Sequence, residues 1–226
     1  MTAALPAFQE KRDRMVIDQL LDRGISDPAV LRAMAAVPRH LFVPSKERSH
    51  AYEDRPLSIG FDQTISQPYI VALMCEALKI APGMKVLEVG TGSGYQAAIL
   101  DRLGVRVFSI ERIPALAEGA RDRLKRLKTA SVRIREGDGA AGWPEEAPFD
   151  RIVVAAAAKR RPALLWKQLA DGGRMVLPVA VERSGAPENP AVPAAQNLML
   201  IERQGKEEKS WELCKCLFVP LVTADD

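Results

Sequence analysis

A doubly wound α/β domain built on a mostly parallel sheet is the fold class that the sequence predicts. Two observations carry this expectation. From Met84 onward, short apolar runs alternate with helical patterns, and the first of those runs ends in a glycine-rich turn, Gly90 to Gly94. Alternation of this kind needs crossover connections, which are right-handed and lay helices on both faces of a parallel sheet.

The elements follow in order. Met15, Ile17, Leu20 and Leu21 recur at helical spacing before Gly24 and predict an amphipathic helix. Asp27-Pro28 offers an N-cap and a first-turn proline for a second helix through Val30, Leu31, Met34 and Ala35, which Val37-Pro38 ends. Arg39 to Gln67 has no period and reads as extended and turn-rich. Its apolar residues, among them Phe42, Tyr52, Leu57, Ile59, Phe61 and Ile65, argue against disorder, and so long an aperiodic stretch points to function. A helix over 67–78 leads into the alternating part.

There the expected strands are 85–89, 105–110, 131–135, 151–155 and 174–179. The expected helices are 95–103, 115–127 and 162–169, the last closed by Asp171-Gly172-Gly173. Pro187, Pro190 and Pro193 mark a surface loop. Leu198–Arg203 and Glu212–Val219 form a closing antiparallel pair joined through 204–209.

Composition narrows the function classes. The 226 residues carry 32 basic and 29 acidic side chains, a net charge of +3, without a basic tract. With only 5 % aromatic residues there is little for a base-stacking platform, so no nucleic-acid partner is expected. No apolar run reaches the roughly 18 residues of a membrane span, and Met1 to Phe8 lacks the basic and apolar regions of a signal peptide. No membrane partner is expected either. Cys75, Cys214 and Cys216 with His40 and His50 make no spaced ligand set, so no metal is expected. They read as reduced, buried thiols in a reducing compartment, the cytoplasm.

The chemistry begins at Val86-Leu-Glu-Val-Gly-Thr-Gly-Ser-Gly-Tyr95. A strand ends, glycines stand at 90, 92 and 94, and a helix starts. Glycine lets backbone turn sharply and lie against a ligand, and ligands of open α/β sheets sit beyond the carboxyl ends of the strands. A dinucleotide fingerprint would put its third glycine at position 95, which is Tyr, so a dinucleotide oxidoreductase fits the sheet but fails on spacing. Glu111 ends the second strand 21 positions after Gly90, about the offset of roughly 20 residues at which an acid reaches ribose hydroxyls. Gly137-Asp138-Gly139 follows the third strand, where Asp138 can accept from an adenine amino group. Glycine loop, Glu111 and Asp138 in register with three strand ends look like the cofactor site of class I S-adenosylmethionine methyltransferases. That site comprises Glu88, Gly90, Thr91, Gly92, Ser93, Gly94, Glu111, Asp138 and Gly139.

A closer resemblance rests on Val37-Pro-Arg-His-x-Phe-Val43, Gln63-Thr-Ile-Ser-Gln-Pro68, Leu87 to Gln96, Gly137-Asp-Gly139 and Phe218-Val-Pro-Leu221. In this order, over about 15–222, they are similar to protein-L-isoaspartate O-methyltransferases. The resemblance implies S-adenosylmethionine as cofactor and L-isoaspartyl residues of damaged proteins and peptides as acceptors. It places Ser66 on the family's active-site serine and Val219, Pro220 and Leu221 on a wall near the acceptor. Read from local sequence alone, Ser66 is equally an N-cap for the following helix. Thr64, Ile65 and Gln67 are expected to hold the peptide as an extended strand.

The resulting organisation is a helical, substrate-contacting extension over 1–80 and a Rossmann-like cofactor domain over 81–226, in one compact unit and as a monomer. Two departures from the family pattern stand out: Asp62, where glycine is common, and a long Pro/Ala-rich stretch over 182–197. Lys159-Arg160-Arg161, after the fourth strand, is a solvated charge run or an electrostatic guide for anionic peptide. Other readings are a methyltransferase acting on a small molecule or RNA, and a non-catalytic nucleotide-binding module, which has no use for Gln63 to Pro68.

Overall fold

The computed structural model describes residues 4–181 and 195–222, so most of the Pro/Ala-rich stretch and its expected loop lie outside the described residues. The chain begins with α1 (Ala4–Arg14), which runs on as a π-helical turn over Met15–Leu20 and a 3-10 turn over Leu21–Arg23. The expected amphipathic helix is therefore longer and wound differently. Met15 and Leu20 are both buried five residues apart, a spacing that the wider π turn brings towards one face. Ile17 and Leu21, counted on the same face by periodicity, are each 51 % exposed. Gly24, at φ +91°, ends the run.

Helix α2 (Pro28–Ala36) is capped as expected: Asp27 accepts from the Ala29 and Val30 amides. The segment that looked aperiodic has structure of its own. Two short 3-10 turns precede a hairpin of β1 (Leu57–Gly60) and β2 (Gln63–Ile65), with Leu57 paired to Ile65 and Gly60 to Gln63. Its loop residues Phe61 and Asp62 both have positive φ, +54° and +55°. Tight two-residue hairpin turns call for that geometry, normally at Asn and Gly. Arg39 is wholly buried beneath this region; its Nε donates to the Ala51 carbonyl and its guanidinium lies 4.9 Å from the Tyr95 ring centre.

After α3 (Pro68–Ala77) the chain enters the main sheet: β3 (Lys85–Val89), α4 (Tyr95–Arg102), β4 (Arg106–Glu111), α5 (Pro114–Arg126), β5 (Val132–Glu136), β6 (Phe149–Val154), α6 (Ala163–Gln168) and β7 (Leu169–Ala180). Two antiparallel strands complete it, β8 (Gln196–Gln204) and β9 (Glu207–Cys216), joined by a two-residue turn at Gly205-Lys206. The strand order is β5-β4-β3-β6-β7-β8-β9, parallel through β7. This is the expected doubly wound sheet with an antiparallel end. Asp171-Gly172-Gly173 does not close α6 but bulges within β7: Phe149 faces Leu169, whereas Arg151 faces Arg174.

Each face of the sheet has its own core. Val86, Val107, Val153 and Val176 pack with α2, α3, α4 and the N-terminal turns, while Leu87, Val89, Ile152 and Met175 pack with Leu165 of α6, Trp143 and Phe149. The strand order reverses between β4-β3 and β3-β6, and the carboxyl ends of these three strands open onto one cleft.

Candidate active site

The cleft occupies about 940 Å³ including its open mouth, within the range of small-molecule cofactor sites. The turn after β3 forms its floor. Gly90 (φ +93°) and Gly92 (φ +53°) take conformations that side-chain-bearing residues resist, and the Gly90 and Thr91 amides donate to the Ile110 carbonyl at 2.9 and 3.2 Å. The loop is thereby tied to β4. Glu111, at the end of β4, is 6 % exposed and accepts from two backbone amides, Gly92 at 2.7 Å and Ile113 at 2.9 Å. Its carboxylate therefore joins the glycine loop to the segment that follows β4.

Glycine is also required on the far wall, for steric reasons. A Cβ on Gly139 would overlap Val89 Cγ1, whereas one on Gly90 would make only ordinary contact with Ala155 Cβ, at 3.5 Å. The surface of β3 at Val89 is thus kept open by a missing side chain. Asp138, just before Gly139, accepts from the Ala140 amide at 2.8 Å and so caps the turn over Gly139–Ala141.

The opposite side comes from outside the βαβ units. Strand β2 brings Gln63, Thr64, Ile65 and Ser66 to the cleft. Ser66 does not cap α3: Gln67 is the cap residue, without a side-chain capping bond. The C-terminal segment closes the rim. The Ala157 amide donates to the Val219 carbonyl and the Leu221 amide to the Ala157 carbonyl, both at 2.8 Å, which pins Val219, Pro220 and Leu221 beside the end of β6.

Of the residues singled out from sequence, the structure brings Thr64, Ile65, Ser66, Gly90, Thr91, Gly92, Ser93, Glu111, Gly139 and Val219 to Leu221 onto one cleft surface. Gln67, Glu88, Gly94 and Asp138 stand outside its lining. Gly94 (φ +87°) instead packs against Ala120 and Leu124 as the cap of α4. Glu88 is completely buried below the loop, where Ser109 Oγ donates to it. Burial pushes its carboxyl up to about 8, with the Ser109 hydrogen bond opposing and the Glu111 charge adding to the rise.

Sequence reasoning missed Gln63, Tyr95, Gln96, Arg112, Ile113 and Ala155, which also line the cleft. Arg112 and Ile113 had a readable signal, since they directly follow an acid at a strand end. Ala155 had the same signal, as the carboxyl end of an expected strand, but only the parallel pairing of β3 with β6 brings it beside Gly90. In the basic run, Arg161 pairs with Glu208 at 2.7 Å and stacks over Trp166, while Lys159 and Arg160 are exposed.

Sheet order, glycine floor and strand-end acid together define a nucleoside-binding α/β protein of the methyltransferase type. Comparison with known proteins narrows this to a family. The family model described as Protein-L-isoaspartate(D-aspartate) O-methyltransferase matches residues 11–226. A protein-L-isoaspartate O-methyltransferase of Pelobacter propionicus is 51 % identical over 216 residues, 95 % of this chain and 92 % of that protein. One from Methylorubrum populi is 52 % identical over 212 residues, 93 % and 94 % of the two chains. A solved protein-L-isoaspartate O-methyltransferase superposes with a TM-score of 0.80 at 29 % identity, covering 92 % of this chain and 65 % of that one. A Plasmodium falciparum structure with the same enzyme name, in complex with S-adenosyl-L-homocysteine, superposes at 0.74 with 26 % identity over 92 % of this chain and 96 % of its own. The chain belongs to the protein-L-isoaspartate(D-aspartate) O-methyltransferase family.

Proposed function

We infer that this chain is an S-adenosylmethionine-dependent protein-L-isoaspartate O-methyltransferase that esterifies the α-carboxylate of L-isoaspartyl residues in damaged proteins and peptides. One observation supports the assignment of parts most directly. Ser66, with no hydrogen-bond partner for its hydroxyl among the described residues, shares a cleft with the glycine floor although it comes from a separate hairpin.

The donor set suits the cofactor. The side-chain-free floor at Gly90 and Gly92 leaves room for close approach, Glu111 stands where a ribose would be held, and Gly139 opens the wall for a flat ring. When bound, S-adenosylmethionine supplies a methyl group on a positively charged sulfur. The remaining work falls to the protein. An isoaspartyl carboxylate is already ionised at pH 7, so no general base is required. Ser66 donates to one carboxylate oxygen and leaves the other directed at the glycine floor. Thr64 and Ile65 hold the flanking peptide, with Gln67 fixing the exit of the strand into α3. Val219, Pro220 and Leu221 cover the site and exclude water. Catalysis is then mainly positioning, which alone can supply several kcal/mol of rate enhancement.

The assignment extends to the organisation of the chain: residues 1–80 act as the acceptor-contacting extension and 81–226 as the cofactor domain. A single assay tests the function. Methyl-labelled S-adenosylmethionine is supplied with an isoaspartyl peptide or its aspartyl isomer, and base-labile methyl ester is counted. Ester on the isoaspartyl peptide alone is the expected result; equal transfer to both, or to neither, refutes the reading.

A further inference from the structure

Glu88 belongs to the glycine-loop motif yet makes no part of the cleft surface. It is connected to that surface by hydroxyls. Parallel pairing of β3 with β4 sets Glu88 beside Ser109 in register, and Ser109 Oγ lies 2.5 Å from Glu88 Oε2. Thr91, a residue of the cleft lining, has its Oγ1 2.5 Å from the same Ser109 Oγ. Glu88 Oε1 is buried without a partner among the described residues. The line Glu88–Ser109–Thr91 therefore runs from a closed carboxyl to the cofactor floor.

A hydroxyl has one hydrogen to donate, so the line has two possible directions. With Glu88 ionised, Ser109 must donate to it and Thr91 must donate to Ser109. Thr91 then presents only lone pairs to the cleft. With Glu88 protonated on Oε2, the direction can reverse, and Thr91 donates into the cleft. We propose that Glu88 is a positioning residue for the cofactor: its protonation state, passed through Ser109, sets whether Thr91 accepts or donates at the cleft floor. The proposal rests on the cofactor assignment made above.

The groups that face Glu88 keep this switch within reach. Burial raises the carboxyl to about 8, and Glu111 adds to the rise from the end of β4. From α3, the Cys75 thiol is pushed up to about 12 by burial and by Glu88 itself, so it stays neutral and contributes no charge. The ammonium of S-adenosylmethionine can only donate. Set against Thr91 it requires an accepting hydroxyl, which through Ser109 requires an ionised Glu88, so a proton leaves as the cofactor enters.

Calorimetry in buffers of different ionisation enthalpy counts that proton. With S-adenosylmethionine as ligand between pH 6.5 and 9.5, the wild type is expected to release on the order of half a proton more than Glu88→Gln near the midpoint. The cofactor's own amino group titrates equally in both and cancels. Thr91→Val keeps the Glu88–Ser109 bond and cuts the line at the cleft, and it is expected to match Glu88→Gln. Should Glu88→Gln fail to fold, Thr91→Val against wild type decides alone. Wild-type release in Thr91→Val overturns the relay, because Glu88 would then act by direct charge or not at all. Failure of the wild type to bind S-adenosylmethionine overturns both the relay and the functional reading.

Discussion

Replacing Glu88 by Gln removes a titration while keeping the shape of the side chain and an acceptor for Ser109. In the folded protein the carboxyl is pushed from an ordinary 4.5 to about 8, chiefly by burial. Between those two values the native state holds a proton that the unfolded chain has released, so stability falls as pH rises. The favourable contribution is complete below 4.5 and lost by the time pH passes about 8. Each pH unit in that window is worth about 1.4 kcal/mol. The wild type therefore loses about 5 kcal/mol relative to Glu88→Gln across the window, and about 3 kcal/mol of it by pH 7. That is a substantial part of the 5–15 kcal/mol by which domains are stable. Urea unfolding of both proteins, without cofactor, at pH 5, 6, 7 and 8 reads the difference, and other titrating groups cancel between them. Curves that remain parallel within about 1 kcal/mol would mean that the carboxyl is solvated and titrates near its ordinary value.

The other predictions address the cleft. Ser66→Ala should lower kcat/KM for an isoaspartyl peptide by roughly 10- to 100-fold, the worth of one hydrogen bond to a charged group, while calorimetry shows cofactor binding intact; full turnover would remove Ser66 from the mechanism. Glu111→Ala leaves the Gly92 and Ile113 amides without their acceptor, and should weaken S-adenosylmethionine binding by about 10-fold or more, so an unchanged Kd sinks the ribose assignment. Gly139→Ala drives a methyl group into Val89, and a loss of about 1–3 kcal/mol in stability or cofactor affinity is expected; wild-type values for both would show that the wall yields. Neutralising Lys159, Arg160 and Arg161 together should flatten the salt dependence of kcat/KM for acidic peptides, and an unaltered slope rejects electrostatic guidance.

Local chemistry explains which parts of this fold were legible in advance. The βαβ alternation from Met84 could be read because buried parallel strands are short apolar runs and the helices between them are amphipathic. Asp27-Pro28 could be read because a cap and a first-turn proline act within four residues. The hairpin over 57–65 was hidden. Its turn is Phe61-Asp62, not a glycine or asparagine pair, so its register follows from burying Leu57, Ile59 and Ile65 under the rest of the chain. The π turn over Met15–Leu20 was hidden for a related reason: packing chose which apolar residues turn inward, and a fixed period assigned Ile17 and Leu21 to the wrong side.

The same division holds for the site. By itself the sequence determined the glycine floor of the cleft, because one strand, one turn and one helix start within ten residues make a glycine loop, and an acid at the next strand end lies at a fixed distance along the chain. It also determined the family, through segments spread over nearly its whole length. Only the tertiary structure decided which of those residues reach the cleft. Strand pairing hides Glu88 beneath the loop behind Ser109, and a 2.8 Å bridge from Ala157 pins Val219 to Leu221 on the rim. Folding of the hairpin carries Ser66 across to face the glycines. Burial and long-range pairing depend on contacts between distant segments, and no local pattern encodes them.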